Sequence, residues 1–390
     1  MINVSQLDEL IRFRRDLHQN PELSREEKHT HDKICDFLSR FSPDKMITHI
    51  GGYGLAAIYN GKAPGPTLAF RADIDALPIH EESRFPHASQ VENVSHKCGH
   101  DGHTAILAGL GTILHESRPE KGRVVLMFQP AEETLDGARQ YVSDPKFKEI
   151  EPDYVFGLHN WRSDRENQVM LRTGQMSPAV TTMLIDLKGT SAHASRPESG
   201  ICPYNAAVKI VAKAYELQNN SDGHADDFSM TTLVHFVLGK NPGYGTAPDD
   251  AHIAMTLRAY KDSVLKELTR GIEAYIATVS AQEKLQHHHI AYTDETIACT
   301  NDDACCRIIE NAARENNLDV QYMETPMRGG EDVGYIINTS RQGGAYFHLG
   351  SGPDQPDLHE PAYDFPDGLI EPGIRMYHSI VNQILNSIDC

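Results

Sequence analysis

Hydrophobic residues change their spacing several times along the chain, and each spacing predicts a different kind of element. Four short, almost wholly apolar runs are typical of buried strands, and they lie at 67–72, 123–128, 154–158 and 345–349. Apolar residues at every third or fourth position predict helices, at 5–19, 104–114 and 303–315 and from Ser24 onward. Buried strands that alternate with helices indicate an α/β fold with a mixed, mostly parallel sheet flanked by helices.

The first two predicted helices begin with the spacing of a capping box. In this motif a serine side chain accepts a hydrogen bond from the first turn, and an acidic or amide side chain three positions later bonds back to the serine. Ser5 is followed in this way by Asp8, and Ser24 by Glu27. We therefore expect Ser5 and Ser24 to mark the starts of these helices.

The middle of the chain shows a different order of elements. The pattern predicts a strand at 181–188, a helix after Pro203, strands at 230–238 and 252–260, a helix from Asp262 and a strand at 289–293. This βαββαβ order is that of a ferredoxin-like unit. We therefore predict a larger domain formed by residues 1–179 and 295–390, with a smaller ferredoxin-like domain, residues 180–294, inserted into it.

Charge and composition exclude some classes of function. The chain has 36 Lys and Arg against 55 Asp and Glu, a net charge of −19, which argues against binding nucleic acid. No apolar run approaches the ~18 residues of a membrane-spanning helix, and the first twenty residues lack the apolar core of a secretory signal. The cysteines are odd in number and suggest no disulfide framework, so we expect a reducing cytoplasm; they are Cys35, Cys98, Cys202, Cys299, Cys305, Cys306 and Cys390.

Residues that can bind metal follow the predicted strands of the larger domain. In open α/β sheets, ligands bind at the carboxyl ends of the strands. Five segments bring Asp, Glu, Cys or His to that edge: Asp73 and Asp75, Cys98 to His103, Glu132 and Glu133, His159, and His359. Nitrogen, sulfur and carboxylate oxygen together suit a borderline-soft divalent ion such as zinc. The alternative is that these are satisfied polar groups or helix N-terminal residues.

The pair Glu132–Glu133 suggests catalysis as well as metal binding. Adjacent residues on extended backbone point in different directions, so one carboxylate can bind metal while the other faces a water molecule. A divalent ion lowers the pKa of such a water toward ~7, and a nearby carboxylate then acts as general base. A solvated acidic pair, or one at a helix N-terminus, is the alternative.

Two residues of the smaller domain are further candidates. His193 follows the first strand of that domain and could stabilise a developing oxyanion, in its own subunit after closure or in a partner's site. Arg258 could bind a substrate carboxylate through two hydrogen bonds. A loop histidine and a solvated strand arginine are the alternatives.

The run His287–His289 alternates between strand faces and is interpreted as surface. Neither a nucleophile elbow nor a glycine-rich phosphate loop is present.

These motifs together resemble those of the dinuclear metal amidohydrolases, the family of aminoacylases, hippurate hydrolase and the plant auxin-conjugate (IAA-amino acid) hydrolases. The resemblance runs in order over nearly the whole chain, through RRDLHQNPELSREE (14–27), RADIDALP (71–78), CGHDGHTAIL (98–107), FQPAEE (128–133), GLHNW (157–161), GTSAHASRP (189–197), GGED (329–332) and LHEPAYDFP (358–366). It implies a catalytic domain that binds two divalent ions and an inserted ferredoxin-like domain that acts as a lid and commonly dimerises.

The resemblance also implies a role for individual residues. The metal ligands would be Cys98, His100, Glu133, His159 and His359. Glu132 would be the general base and proton shuttle, and Asp75 would hold the ligands in place. His193 would be the oxyanion residue supplied across a homodimer, and Arg258 would lie near the substrate carboxylate. The ions implied are zinc or manganese, with cobalt or nickel as alternatives.

Three positions depart from the family pattern. Gly245-Thr-Ala-Pro248 stands where Asn-Val-Ile-Pro is expected, Cys202 replaces a usual aspartate, and Val333 replaces a usual phenylalanine. The first two lie in the inserted domain, so they bear on the choice of substrate rather than on hydrolysis. We therefore expect a cytoplasmic hydrolase of N-acyl amino acid amides. A di- or tripeptidase with the same site is the near alternative, and a non-catalytic metal-binding protein is the more distant one.

Overall fold

A computed structural model describes residues 2–220, 223, 226–240 and 243–386. Cys390 therefore lies outside the described residues. The chain divides into two compact units. The first comprises Met1–Met176, Cys299–Glu324 and Glu331–Cys390, and the second comprises Ser177–Ala298 and Thr325–Gly330.

The strands are, in chain order, β1 (Lys45–Ile50), β2 (Gly54–Asn60), β3 (Ala63–Asp73), β4 (Lys121–Gln129), β5 (Tyr154–Trp161), β6 (Glu166–Leu171), β7 (Gly174–Ser177), β8 (Ala179–Lys188), β9 (Ala192–His193), β10 (Ser229–Leu238), β11 (Thr246–Ala247), β12 (Asp250–Ala259), β13 (His287–Thr296), β14 (Cys299–Asn301), β15 (Val320–Tyr322) and β16 (Gly343–Ser351). The α-helices are α1 (Val4–Gln19), α2 (Lys28–Ser39), α3 (His100–Glu116), α4 (Gly137–Ser143), α5 (Tyr204–Leu217), α6 (Asp262–Gln282), α7 (Asp303–Glu315), α8 (Gly334–Ile337) and α9 (Ile370–Leu385).

An eight-stranded sheet forms the centre of the first unit, in the order β1-β2-β4-β3-β5-β16-β6-β15. The four strands predicted from apolar runs, β3, β4, β5 and β16, are adjacent and parallel to one another. Their carboxyl ends therefore meet at one edge of the sheet. The pairs β1–β2, β2–β4 and β16–β6 are antiparallel, which makes the sheet mixed.

Helices cover both faces of this sheet because successive strand residues point to opposite sides. In β3, Leu68 and Phe70 contribute to the core formed with α1, α2, α3, α7 and α9. Ala69 faces the opposite core, which contains Tyr141 of α4 and Ile336 of α8. The predicted α/β sheet flanked by helices is thus confirmed.

The second unit contains a four-stranded antiparallel sheet in the order β10-β12-β8-β13. With α5 and α6 between the strands, the element order is the predicted βαββαβ. Both helices contribute to the core beneath the sheet, through Ile210 of α5 and Ile272 of α6. A short antiparallel ladder pairs Thr246 of β11 with His193 of β9.

The predicted helix starts are wrong at both capping boxes. The first helix is capped by Asn3 together with Gln6, two residues before the expected pair. The second helix begins at Lys28 rather than Ser24, and Glu27 at its start makes no side-chain cap. Ser24 and Glu27 bond elsewhere, as described below. No helix among the described residues is both long enough and apolar enough to cross a membrane.

Candidate metal centre

The first unit brings together the five residues predicted as metal ligands. Cys98 and His100 flank the start of α3, Glu133 lies in a 3₁₀ turn after β4, His159 lies near the end of β5, and His359 lies in the loop after β16. The turn at the start of α3 needs glycine, because Gly99 has φ +96° and a Cβ there would lie 2.2 Å from Asn160 Oδ1.

His100 and His159 both direct Nδ1 toward a backbone carbonyl oxygen, which leaves Nε2 of each ring for the cluster. His100 Nδ1 lies 2.9 Å from the carbonyl oxygen of Asp75, and His159 Nδ1 lies 2.6 Å from that of Asn160. A carbonyl only accepts hydrogen bonds, so each Nδ1 carries the proton and each Nε2 keeps its lone pair. His159 Nε2 is 3.3 Å from Cys98 Sγ. This is the arrangement of metal-binding histidines.

Glu133 and His359 complete the cluster. Glu133 Oε1 lies 3.8 Å from His100 Nε2 and 3.6 Å from His359 Nε2. Ligand atoms of Cys98, Glu133 and His359 all lie within 4.8 Å of one another. His359 has a left-handed backbone, φ +69°, and its N–H donates to the carbonyl of Lys97. Such strain in a non-glycine residue is typical of functional sites.

Two buried atoms at this cluster have no hydrogen-bond partner among the described residues, His100 Nε2 and Glu133 Oε1. An unpaired buried polar atom costs roughly 2–7 kcal/mol, and an unpaired charge costs more. A lone-pair nitrogen and a carboxylate oxygen that face each other fit a shared cation. The donor set of thiol, imidazole and carboxylate therefore fits the divalent ions implied by the sequence.

Glu132 lies beside these ligands. Its carboxyl group is buried, and Oε2 is 3.9 Å from His100 Nε2. The turn that carries Glu132 and Glu133 lies between Ala131 and Leu135, which have left-handed φ values of +56° and +54°. Within it, Glu133 reaches the ligand cluster, while Glu132 also lies within reach of Glu331 and Asp332.

Burial and neighbouring charges shift the pKa values of these groups. Burial, together with the Glu331 carboxylate, raises the pKa of Glu132 well above its ordinary value. Burial raises the pKa of Glu133 to about 7. Burial opposes charge on His100, but Asp73 and Asp75 outweigh it and raise its pKa to about 10. A divalent ion among these groups would instead favour their deprotonated forms.

Asp75 connects the ligands through its side chain. Asp75 Oδ2 accepts hydrogen bonds from the backbone N–H of Glu133, at 3.0 Å, and from the hydroxyl of Ser24, at 2.7 Å. Its backbone carbonyl orients His100. Asp75 therefore contacts two of the proposed ligands, through its backbone carbonyl and through Oδ2.

A buried charge network that the sequence motifs did not predict lies beside Glu132. The Arg71 guanidinium donates to Asp73, Glu331 and Asp332 at 2.6–3.1 Å. Tyr346 donates its hydroxyl hydrogen to Glu331, at 2.7 Å. The signal was an arginine within the apolar run 67–72, since a fully buried arginine requires acidic partners. Glu331 and Asp332 lie 260 and 261 residues away, in the GGED motif, and could not be paired with Arg71 from spacing.

His103 was also left without a role. Its Nδ1 lies 2.6 Å from Asp73 Oδ1, and its Nε2 accepts the backbone N–H of Asn160, at 3.0 Å. Both ring nitrogens are thus used within the protein. His103 therefore joins the ends of β3 and β5, and it also lies with Asp73, His100 and His159 in a group whose candidate ligand atoms are within 4.8 Å of one another.

The remaining candidates lie in the second unit. His193 is exposed, and its Nδ1 lies 2.7 Å from the hydroxyl of Ser195. Arg258 donates to the carbonyl of Arg328 at 3.2 Å. The run His287–His289 is exposed on β13, and all the clusters that could hold a metal among the described residues lie in the first unit.

Comparisons with known proteins place these observations in context. A family model of peptidase family M20/M25/M40 matches residues 69–383. An N-acetyl-L-cysteine deacetylase of Bacillus subtilis strain 168 is 31% identical over 99% of this chain and 91% of its own length. A hippurate hydrolase of Campylobacter jejuni is 29% identical over 97% of each chain. The crystal structure of a dinuclear metal-binding M20 peptidase from Bacillus subtilis has a TM-score of 0.83 and 25% identity, and covers 99% of this chain and 100% of that one.

We predict that His100→Asn lowers the metal content of the purified protein. The substitution removes the Nε2 lone pair, so the affinity should fall by more than the ~10–100-fold typical of losing an outer partner of a ligand. Metal content after dialysis against Mn²⁺ or Zn²⁺ measures this. His115→Asn, an exposed position on the same helix, is the control. Equal metal content in both variants and in the wild type would contradict the assignment.

Proposed function

Because the chain belongs to peptidase family M20/M25/M40, with a match that covers residues 69–383, we propose that it hydrolyses the amide bond of N-acyl amino acids at a centre for two divalent ions. The observation that carries the proposal is the convergence of the unpaired His100 Nε2 and Glu133 Oε1 beside the buried carboxyl group of Glu132. Relatives named as a deacetylase and a hippurate hydrolase support the class of substrate.

The residues proposed to hold the two ions are Cys98, His100, Glu133, His159 and His359. Thiolate and imidazole favour zinc, and carboxylate with imidazole also suits manganese, with cobalt and nickel as alternatives. When bound, such ions polarise a carbonyl oxygen and lower the pKa of water. Asp75 and the carbonyl of Asn160 keep the imidazoles in the tautomer that can bind.

Glu132 is the proposed general base. It accepts a proton from the attacking water and returns it to the leaving nitrogen, so the amine departs neutral. Its position fits this role because it lies in the same rigid turn as Glu133 and is buried beside His100. Because the Glu132 carboxylate is removed from bulk water, its interaction with a developing positive charge is also stronger.

His193 and Arg258 are proposed to contact substrate. The ring of His193 is exposed, and among the described residues only its Nδ1 has a hydrogen-bond partner, Ser195, which leaves Nε2 for an oxyanion in the site of a second subunit. Arg258 is proposed to bind the substrate carboxylate. The departures at Gly245 and Cys202 lie in the same unit, and a Cβ at Gly245 would meet nothing within 4 Å. We propose that this local space alters the choice of substrate.

Two alternatives use the same geometry. A di- or tripeptidase would require recognition of a free α-amine, for which the described centre offers the carboxylates Glu132 and Glu133. A non-catalytic metal-binding protein has no use for Glu132 in addition to the ligands.

The six described cysteines are free thiols, which supports the expected cytoplasmic location.

An exposed edge of the second unit supports the proposed homodimer. Strand β10 is an edge strand, and Val234 and Phe236 on it are exposed. Helix α5 adjoins this edge, where the Tyr215 hydroxyl accepts the N–H of Leu233, and carries exposed Tyr204 and Val208. An unpaired apolar edge strand pairs readily with a second copy.

We predict that Glu132→Gln lowers kcat by about 10²–10⁴-fold, the range for loss of a general base. Metal content should stay at the wild-type level because Glu132 is not a ligand. The assay measures amine release from N-acetyl and N-benzoyl amino acids and from dipeptides. Glu151→Gln, at an exposed position, is the control. Wild-type turnover by Glu132→Gln would exclude Glu132 as the base.

We also predict that Val234→Lys converts a dimer to a monomer, since a buried lysine on the edge strand would repel its symmetry mate. Sedimentation velocity measures the change. His288→Lys, on the opposite edge strand β13, is the control and should remain dimeric. A dimer that tolerates Val234→Lys but not His288→Lys would place the interface at the other edge.

A further inference from the structure

Residues 22–27 resemble a helix start in sequence. In the structure they form hydrogen bonds to residues that support the candidate metal centre. The carbonyl of Glu22 accepts the N–H of Ala76, and the hydroxyl of Ser24 donates to Asp75 at 2.7 Å. Glu27 is fully buried, and its Oε1 accepts the N–H of Ala131 at 2.8 Å. The segment thus contacts the two places that support the ligands, Asp75 and the turn after β4.

The hydrogen bond that Glu27 accepts from Ala131 lies at the start of the turn after β4. Ala131 is the left-handed residue directly before Glu132 and Glu133. A left-handed backbone is strained for alanine and persists only where its surroundings hold it in place. A second bond, from the Glu133 N–H to Asp75, holds the other side of the turn. The directions of the Glu132 and Glu133 side chains are therefore set by two buried carboxyl groups.

Stability alone does not explain a glutamate here. Glu27 Oε2 is buried and has no hydrogen-bond partner among the described residues, and Glu27 makes no cap for α2. Such an atom is costly. By contrast, Glu22 on the same segment uses its side chain locally and accepts both the N–H and the hydroxyl of Thr30 in α2.

We propose that Glu27 is a positioning residue for the metal centre: its side chain reaches Ala131 and fixes the turn that presents Glu132 and Glu133. The reach of the side chain matters, and its charge does not. For metal binding the proposal stands on geometry alone, and for turnover it rests on the proposed function. Glu27 belongs to none of the candidate metal-binding groups among the described residues.

Two substitutions separate reach from charge. Glu27→Gln keeps the length and an acceptor oxygen but removes the charge. Glu27→Asp keeps the charge but withdraws the oxygen by one methylene. We expect Glu27→Gln to bind Mn²⁺ like the wild type. We expect Glu27→Asp to bind it about 10–100-fold more weakly, the usual loss when an outer partner of a ligand is removed.

The measurement is calorimetric titration of Mn²⁺ into full-length protein stripped with chelator. Glu22→Asp is the matched control, because it shortens a glutamate of the same segment without touching Ala131. It should retain the wild-type affinity even where its thermal unfolding midpoint falls. With a hydrolysed substrate, Glu27→Asp should lower kcat by up to about 10²-fold while KM stays unchanged, because the base is displaced; Glu27→Gln should restore kcat.

Three results would overturn the proposal: wild-type affinity in Glu27→Asp, equal loss in Glu27→Gln and Glu27→Asp, or equal loss in Glu22→Asp. The second would mean that the charge of Glu27 is used, and the third that the segment acts only through folding. If the wild type hydrolyses no substrate but the affinities follow the expected order, the proposed function fails and the positioning role of Glu27 stands.

Discussion

The first unit depends on how it accommodates negative charge at one edge of its sheet. Asp73, Asp75, Glu132, Glu331 and Asp332 are buried there and Glu133 is nearly so. Arg71 contacts three of these carboxylates. Charges of one sign in a medium of low dielectric repel strongly, and His100 Nε2 and Glu133 Oε1 have no partner among the described residues. Divalent cations bound there would relieve this repulsion, and the same cations would supply the chemistry of amide hydrolysis.

The surrounding protein divides the acids into groups with different tasks. Arg71 forms ion pairs with Asp73, Glu331 and Asp332. Two of these acids, Glu331 and Asp332, lie beside Glu132. Asp75 and Glu27 are used on the backbone of the turn after β4. This leaves Glu133 to face the ligand cluster and Glu132 to face the space beside it. Adjacent glutamates can thus take different roles because the turn that carries them is held on both sides.

The sequence predicts the sheet because apolar runs follow local rules, and the same rules bring the five candidate ligands to one edge of it. Apolar runs mark β3, β4, β5 and β16, and parallel strands bring their carboxyl ends together. The support of the site is not predictable in this way. Arg71 pairs with acids about 260 residues away. Ser24 and Glu27 have the spacing of a capping box. Instead, Ser24 donates to Asp75 and Glu27 accepts from Ala131, both of which are distant in the chain. Local patterns do not reveal which partner a polar side chain chooses.

The most direct test of this account is anomalous diffraction from crystals grown with Mn²⁺ or Zn²⁺. We predict two anomalous peaks in the first unit, with ligand distances of about 2.0–2.3 Å to His100 Nε2, Glu133 Oε1 and the neighbouring ligands. Glu132 should lie outside direct coordination. An ion bound elsewhere, with His100 Nε2 and Glu133 Oε1 hydrogen-bonded to water or to each other, would contradict the central claim that these buried atoms are unpaired because they bind metal.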